Sequence, residues 1–135
     1  MLKVLLTTCV SIGCIFNAYS QQNNPMSCKI TGEIVNILKP TNNHSKDISS
    51  KYPCKARVVI HSVSDCGSSI TMRPQENDTM LINFVYTLSN TSKVFPTMKA
   101  KYPGLKKGNR FSAQVEQRLL PAGKYEFIIY DYSLK

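Results

Sequence analysis

Phe111-Ser112-Ala113-Gln114-Val115-Glu116 sets apolar Phe111, Ala113 and Val115 against polar Ser112, Gln114 and Glu116, in strict alternation. Successive side chains of an extended chain leave from opposite faces, so a period of two marks a strand with one face buried. The same period extends outward from this stretch. Downstream, Tyr125 to Leu134 is rich in aromatic and β-branched residues and joins the Phe111 strand through a hairpin at Pro121-Ala122-Gly123. Upstream, Met80 to Leu88 puts Met80, Ile82, Phe84, Tyr86 and Leu88 on one face and Leu81, Asn83, Val85 and Thr87 on the other. Lys55 to Val63 alternates Ala56, Val58 and Ile60 with Arg57, Val59 and His61. Lys29 to Leu38 carries Ile30, Gly32 and Ile34 on one face and then shifts parity to Val35 and Ile37. A glycine in mid-strand with a parity change predicts a β-bulge.

Polar and turn-forming residues separate these segments. Lys39 to Pro53 reads as a long loop, and Asp65-Cys66-Gly67, Pro103-Gly104 and Lys107-Gly108-Asn109 read as turns. Ser92 to Lys101 is left for a short helix or an irregular crossover. Nothing is periodic enough for a substantial helix, and 135 residues fall within the length prior for one domain. The chain therefore reads as all-β, with strands in the order three, crossover, two.

That order, with a glycine bulge in the first strand, resembles the OB-fold, a five-stranded Greek-key barrel. Tyr102-Pro103-Gly104-Leu105-Lys106-Lys107-Gly108-Asn109-Arg110-Phe111-Ser112-Ala113-Gln114-Val115 looks like the Leu-x-x-Gly-x-x-Phe-x-Ala-x-Val lead into the fourth OB strand. It is similar to a group of small exported OB-like proteins and lipoproteins of bacteria. The resemblance covers residues 28 to 134 as a pattern and implies a barrel over 28–135 without choosing a function, since OB barrels host nucleic-acid binding, glycan binding, protease inhibition and scaffolding. Secreted OB proteins of the metalloproteinase-inhibitor type begin with a cysteine in the mature chain. Here the mature chain would begin at Gln21, which argues against an inhibitor.

Residues 1–20 have the three parts of an export signal: basic Lys3, an apolar stretch from Val4 to Phe16, and Ala18-Tyr19-Ser20 as a small-x-small cleavage site. A membrane anchor needs about 18 uninterrupted apolar residues. Thr7, Thr8 and Ser11 interrupt a run that is already shorter. Ser11-Ile12-Gly13-Cys14 offers a lesser reading, a lipoprotein box anchored through Cys14, but Ser11 stands where such a box wants a Leu-like residue. Gln21 to Ser27 is then a flexible polar lead-in to the barrel, and the expected location is secreted, periplasmic or cell-surface, with no transmembrane segment in the mature chain.

Cleavage would also remove Cys9 and Cys14, leaving Cys28, Cys54 and Cys66. An odd number allows one internal disulfide and one remaining thiol. If the first two strands form an antiparallel hairpin with Leu38 opposite Lys55, Cys28 falls opposite Asp65, beside Cys66. Cys54 then lies at the far end, roughly 30 Å away at about 3.3 Å per residue, well beyond the ~7 Å that a disulfide spans. The hairpin therefore predicts a Cys28–Cys66 bond.

Catalysis finds little to work with, because His44 and His61 stand apart from any nucleophile motif. The two histidines also have no companion ligand at metal-binding spacing, so no cofactor or metal is implied. The formal charge of +9 drops only by the single unit of Lys3 if the leader is lost, which favours anionic surfaces. Lys93, Lys99, Lys101, Lys106, Lys107 and Arg110 crowd one stretch without an acidic residue, with Tyr102 among them. Charge interleaved with an aromatic is how OB surfaces hold single strands or sugars, and a solvated loop is the plainer account. Lys99, Lys101, Tyr102, Lys106, Lys107 and Arg110 are thus the candidate binding residues. Asn83, Tyr130 and Tyr132 are weighed between a binding face and core packing, with packing favoured for the tyrosines. An anionic glycan, a cell-surface component or another protein is the expected partner of an exported chain, and nucleic acid is not. Asn43-His44-Ser45, Asn77-Asp78-Thr79 and Asn90-Thr91-Ser92 match the N-glycosylation acceptor. Terminal sequencing of the exported protein is expected to give a start close to Gln21, whereas recovery of full-length soluble cytoplasmic protein would contradict the leader.

Overall fold

A computed structural model describes residues 24–40 and 46–135; the leader expected over residues 1–20, together with Cys9, Cys14, Gln21, Asn43 and His44, lies outside the described residues. Five strands, β1 (Ser27–Ile37), β2 (Lys55–Ser64), β3 (Thr79–Phe84), β4 (Arg110–Leu119) and β5 (Tyr125–Leu134), close into a barrel in the order β1-β2-β3-β5-β4. Every pairing is antiparallel except β3 with β5. These are the five strands expected from the alternation, closed into the OB-like barrel that the resemblance implies. The helices are single turns, α1 (Ile48–Lys51) in the loop after β1 and α2 (Thr91–Val94) in the crossover from β3 to β4.

Closure is carried by β1, which pairs along both edges: Lys29 lies opposite Ser64 and Gln114, and Gly32 opposite Ile60 and Phe111. The β1–β2 register is the expected one at both ends, with Lys29 opposite Ser64 and the Leu38 N–H donating to the Lys55 carbonyl at 2.9 Å. Between those ends it slips twice, and the slips cancel. His61 is the extra residue on β2, between the partners of Thr31 and Gly32, and Val35 is the extra residue on β1, between Ile34 and Asn36. Gly32 thus sits beside a bulge, as expected. Val35 does not join the inner face with Ile37: as the bulged residue it is 40 % exposed, while Ile37 packs against the core.

Because the slips cancel, Cys28 and Cys66 meet, with Cα atoms 4.0 Å apart, and form the disulfide. Closing a loop of 38 residues, the bond constrains the unfolded chain by about 2–4 kcal/mol. The chain continues the pairing past it, with the Gly67 N–H donating to the Ser27 carbonyl and Ser69 N–H to Pro25. The lead-in expected to be flexible is instead tied down over Asn24 to Ser27, where the Ser69 N–H holds Pro25 and Asn24 Oδ1 accepts from the Met26 N–H.

The core holds the inward positions that the alternation marks, among them Ile30, Ile34, Val58, Ile60, Ile82, Phe84, Phe111 and Val115, joined by Ile129 of β5. Phe84, Phe111 and Tyr132 meet edge to face with centroids 5.7 to 6.4 Å apart. Strand β3 ends at Phe84 rather than running to Leu88. Beyond it Leu88 still enters the core, but Thr87 is buried too and Tyr86 turns to meet Phe95 at 6.0 Å. The cause is Thr87, whose hydroxyl donates to the Pro53 carbonyl and pulls the chain out of the pleat. Buried Gln117 has its amide partners in a loop, accepting from the Thr71 and Met72 N–H groups and donating to the Thr71 hydroxyl.

Gly32 leaves no room for a side chain inside the barrel: a Cβ there would stand 2.6 Å from Val58 Cγ1 and 3.3 Å from the Phe111 ring. Gly32→Ala is expected to destabilise by about 1–3 kcal/mol through overpacking. Urea denaturation reads the loss, and adding Val58→Ala should restore part of it.

Candidate functional site

Four segments build a groove at the β3–β4 crossover. The Phe84 N–H donates to the Cys54 carbonyl and the Leu88 N–H to the Pro53 carbonyl, so the chain leaving β3 stays bound to the chain entering β2. The chain then returns, with the Leu105 N–H donating to the Leu88 carbonyl at 2.8 Å. Between these passes Asn90 caps α2, its Oδ1 accepting from the Ser92 N–H at 2.9 Å. Buried Thr91 pins the loop base: its N–H and hydroxyl donate to the Tyr102 carbonyl, and its Oγ1 accepts from the Tyr102 N–H at 2.8 Å. Gly104, at φ 95°, passes where a Cβ would be 3.0 Å from the Asn90 nitrogen and 3.1 Å from the Leu88 oxygen. Only glycine combines that backbone conformation with that closeness.

The groove has a volume of about 530 Å³. Leu88 and Leu105 are its buried floor, Tyr52, Pro53 and Val94 its walls, and the exposed Lys93 and Lys106 its charged groups. No carboxylate is among the residues that line it. Lys106 is held by a turn: Asn109 Oδ1 accepts from its N–H at 2.7 Å, and the Gly108 N–H donates to the Ile34 carbonyl.

A second cavity, of about 590 Å³, contains Tyr102 and not the lysines of the crossover. The basic stretch is therefore divided. Lys106 lines the groove, Tyr102 lines the other cavity, and Lys99, Lys101, Lys107 and Arg110 are exposed and line neither. Lys99 and Lys101 sit on the loop that Thr91 closes, and Arg110 opens β4 opposite Glu33. Of the tyrosines assigned to packing, Tyr132 is buried in the core and Tyr130 is 46 % exposed on the outside. Half-buried Asn83 donates to Glu126, which also accepts from Arg118 at 2.6 Å. That bond and the Glu126 charge hold the Arg118 guanidinium above its ordinary range. Tyr52 and Pro53 carry no signal in the sequence that would join them to Lys93 or Lys106. Only the hydrogen bonds of residues 84–88 to 53–54 bring them there.

His61 Nε2 lies 3.2 Å from Glu33 Oε2 on the outer side of the β1–β2 hairpin. Among the described residues no three of His, Cys, Asp and Glu converge as metal ligands. Cys54 is the free thiol among them; it is buried, with its Sγ 3.5 Å from the Tyr52 carbonyl. Burial raises its pKa, against a smaller lowering by the Thr87 hydroxyl. Comparison with protein-family models, with curated proteins and with solved structures gave no match.

A thiol whose folded pKa is raised favours folding fully below its unfolded pKa, and that contribution is lost as pH rises through the folded value. Cys54 is expected to resist iodoacetamide at pH 8 in the native protein and to react once denatured, as read by peptide mass mapping. Rapid native labelling would mean that the segment before β2 opens.

Proposed function

We propose that this chain is an exported, non-enzymatic binding domain whose crossover groove receives the acidic group of an anionic glycan. The observation that carries the reading is the pairing of two exposed ammonium groups, Lys93 and Lys106, with an apolar floor and no lining carboxylate. An exposed ion pair is worth roughly 0–1 kcal/mol, so the lysines supply orientation and salt sensitivity. Burial against Leu88, Leu105 and Tyr52 supplies the rest at about 25 cal/mol per Å² of apolar surface. An aromatic ring beside ammonium groups suits a sugar ring that bears a carboxylate or sulfate. Export is supported by the Cys28–Cys66 disulfide, since such bonds persist in oxidising compartments, and by the form of residues 1–20. Among the described residues no helix is long and apolar enough to cross a membrane.

A second reading, an interaction protein without a small ligand, is favoured by the outer surface of β5 and of β3 with the residue that follows it. There Leu81, Val85 and Tyr130 are 48, 38 and 46 % exposed. Salt separates the two readings, because charge-driven binding weakens as ionic strength rises and a packed apolar interface does not.

With a panel of carboxylated and sulfated oligosaccharides, Lys93→Ser/Lys106→Ser is expected to weaken binding by about three- to tenfold and to flatten its salt dependence, as the loss of two exposed charged contacts would. Lys99→Ser/Lys101→Ser should bind within about twofold of the parent, and neither pair should move the melting temperature appreciably. Equal losses from the two pairs would show a diffuse basic surface instead of a groove.

A further inference from the structure

The second cavity has a different chemistry, and it is lined from β1, β4 and β5, from the turn that follows β2 and from the crossover. Its origin is an irregularity in the β4–β5 ladder: Ala113 lies opposite Tyr132 but Val115 lies opposite Ile129, so β5 carries one extra residue. The burial pattern records the slip, for Ile128 and Ile129 are both buried and Tyr130 and Asp131 both exposed. Asp131 is thereby placed on the cavity with Lys29 and Gln114, which face each other across β1 and β4, and with Ser112 and Ser133, which face each other across β4 and β5. Asp65, just past the end of β2, adds a second carboxylate. The apolar part of the lining is Ala113 and two aromatic rings, Tyr102 and Tyr132, which lie 5.1 Å apart at 35°.

We propose that this cavity binds an uncharged sugar. A sugar ring offers hydroxyls that each need a donor and an acceptor, together with a C–H face that sits on an aromatic ring. The cavity supplies acceptors in Asp65 and Asp131, a donor in Lys29, groups that do both in Ser112, Ser133 and Gln114, and ring surface in Tyr102. Gln114 is already oriented, its Nε2 donating to Ser27 Oγ at 2.6 Å, which leaves its Oε1 to accept. Tyr102 keeps its phenolic proton, because burial and then the Asp131 charge raise its pKa. One ammonium against two carboxylates excludes the anions that suit the crossover groove. A volume of about 590 Å³ falls among ordinary ligand pockets and has room for a short oligosaccharide.

This site stands independently of the groove, and the experiment keeps them apart. Amide resonances of the folded protein are followed while maltose, cellobiose, N,N′-diacetylchitobiose or, as the competing cation, spermidine is added. At least one neutral disaccharide is expected to give saturable shifts at Lys29, Ser112, Gln114, Asp131 and Ser133 and none at Lys93 or Lys106. The response should be equal at about 50 mM and about 500 mM salt. Asp131→Ala should weaken it by about tenfold and Asp131→Asn, which retains an acceptor, by less. Asp131 is exposed, and the dispersed spectrum of each variant shows that it folds. Saturable shifts with spermidine alone, abolished at high salt, would make the cavity a cation site and overturn the proposal, as would no shift with any of the three disaccharides at about 50 mM, a concentration well above weak-binding dissociation constants.

Discussion

The barrel depends on one strand hydrogen-bonding along both edges at once. From Lys29 to Glu33, every residue of β1 has partners in β2 and in β4, so the β1–β2 and β1–β4 registers cannot be set separately. Closure removes the open edges of the sheet and forces the strands to curve. The curvature is concentrated at His61 and Val35, the two extra residues, and at Gly32 between them, where the missing side chain lets Val58 and the Phe111 ring reach across the interior. The disulfide fastens the same strand near its start. It works there because the two slips are opposite in sense and leave Cys28 and Cys66 adjacent.

Closure also dictates where the candidate groove can be. To seal the barrel, β5 must lie parallel to β3, and β4 must come back to β1 from the other side. The chain from Val85 to Asn109 therefore travels outside the ladder, and its backbone groups need partners other than a neighbouring strand. It finds them in Pro53, Ile129, Ile34 and its own two passes. The groove is the space left between those passes and the chain entering β2.

What could be read from the residues divides along the same line. Alternation at Phe111, Ala113 and Val115 identifies a strand because one face is buried and the other wet, and this local property survives in the folded chain. The disulfide was legible from matched strand ends, since opposed bulges leave the ends in register. Val35 was misread because parity alone does not tell a bulged residue from the next inward one. Tyr86 and Leu88 keep the alternation of β3 beyond its true end, where the Thr87–Pro53 hydrogen bond overrides the pleat. The basic stretch was legible as charge and not as a site. Lys93 and Lys106 are brought together with Tyr52 by pairings between distant segments, while Lys107 and Arg110, beside Lys106 in the chain, line neither cavity.

The two cavities share a partition, Tyr102-Pro103-Gly104. Tyr102 lines one cavity, and Pro103 and Gly104 line the other. The Gly104 N–H donates to the Tyr132 hydroxyl at 2.9 Å, so a backbone group of the groove is fixed by a side chain of the opposite cavity. Burial raises the Tyr132 pKa, the Gly104 N–H lowers it and Tyr102 raises it, so the phenol stays neutral while it accepts that hydrogen bond. At the other end of the partition Thr91 bonds both the N–H and the carbonyl of Tyr102. Held at both ends, a segment with neither helix nor strand keeps a defined position. It separates a surface whose charged groups are two lysines from one that carries two carboxylates, a single lysine and an amide, although only Pro103 and Gly104 stand in sequence between Tyr102 and Leu105.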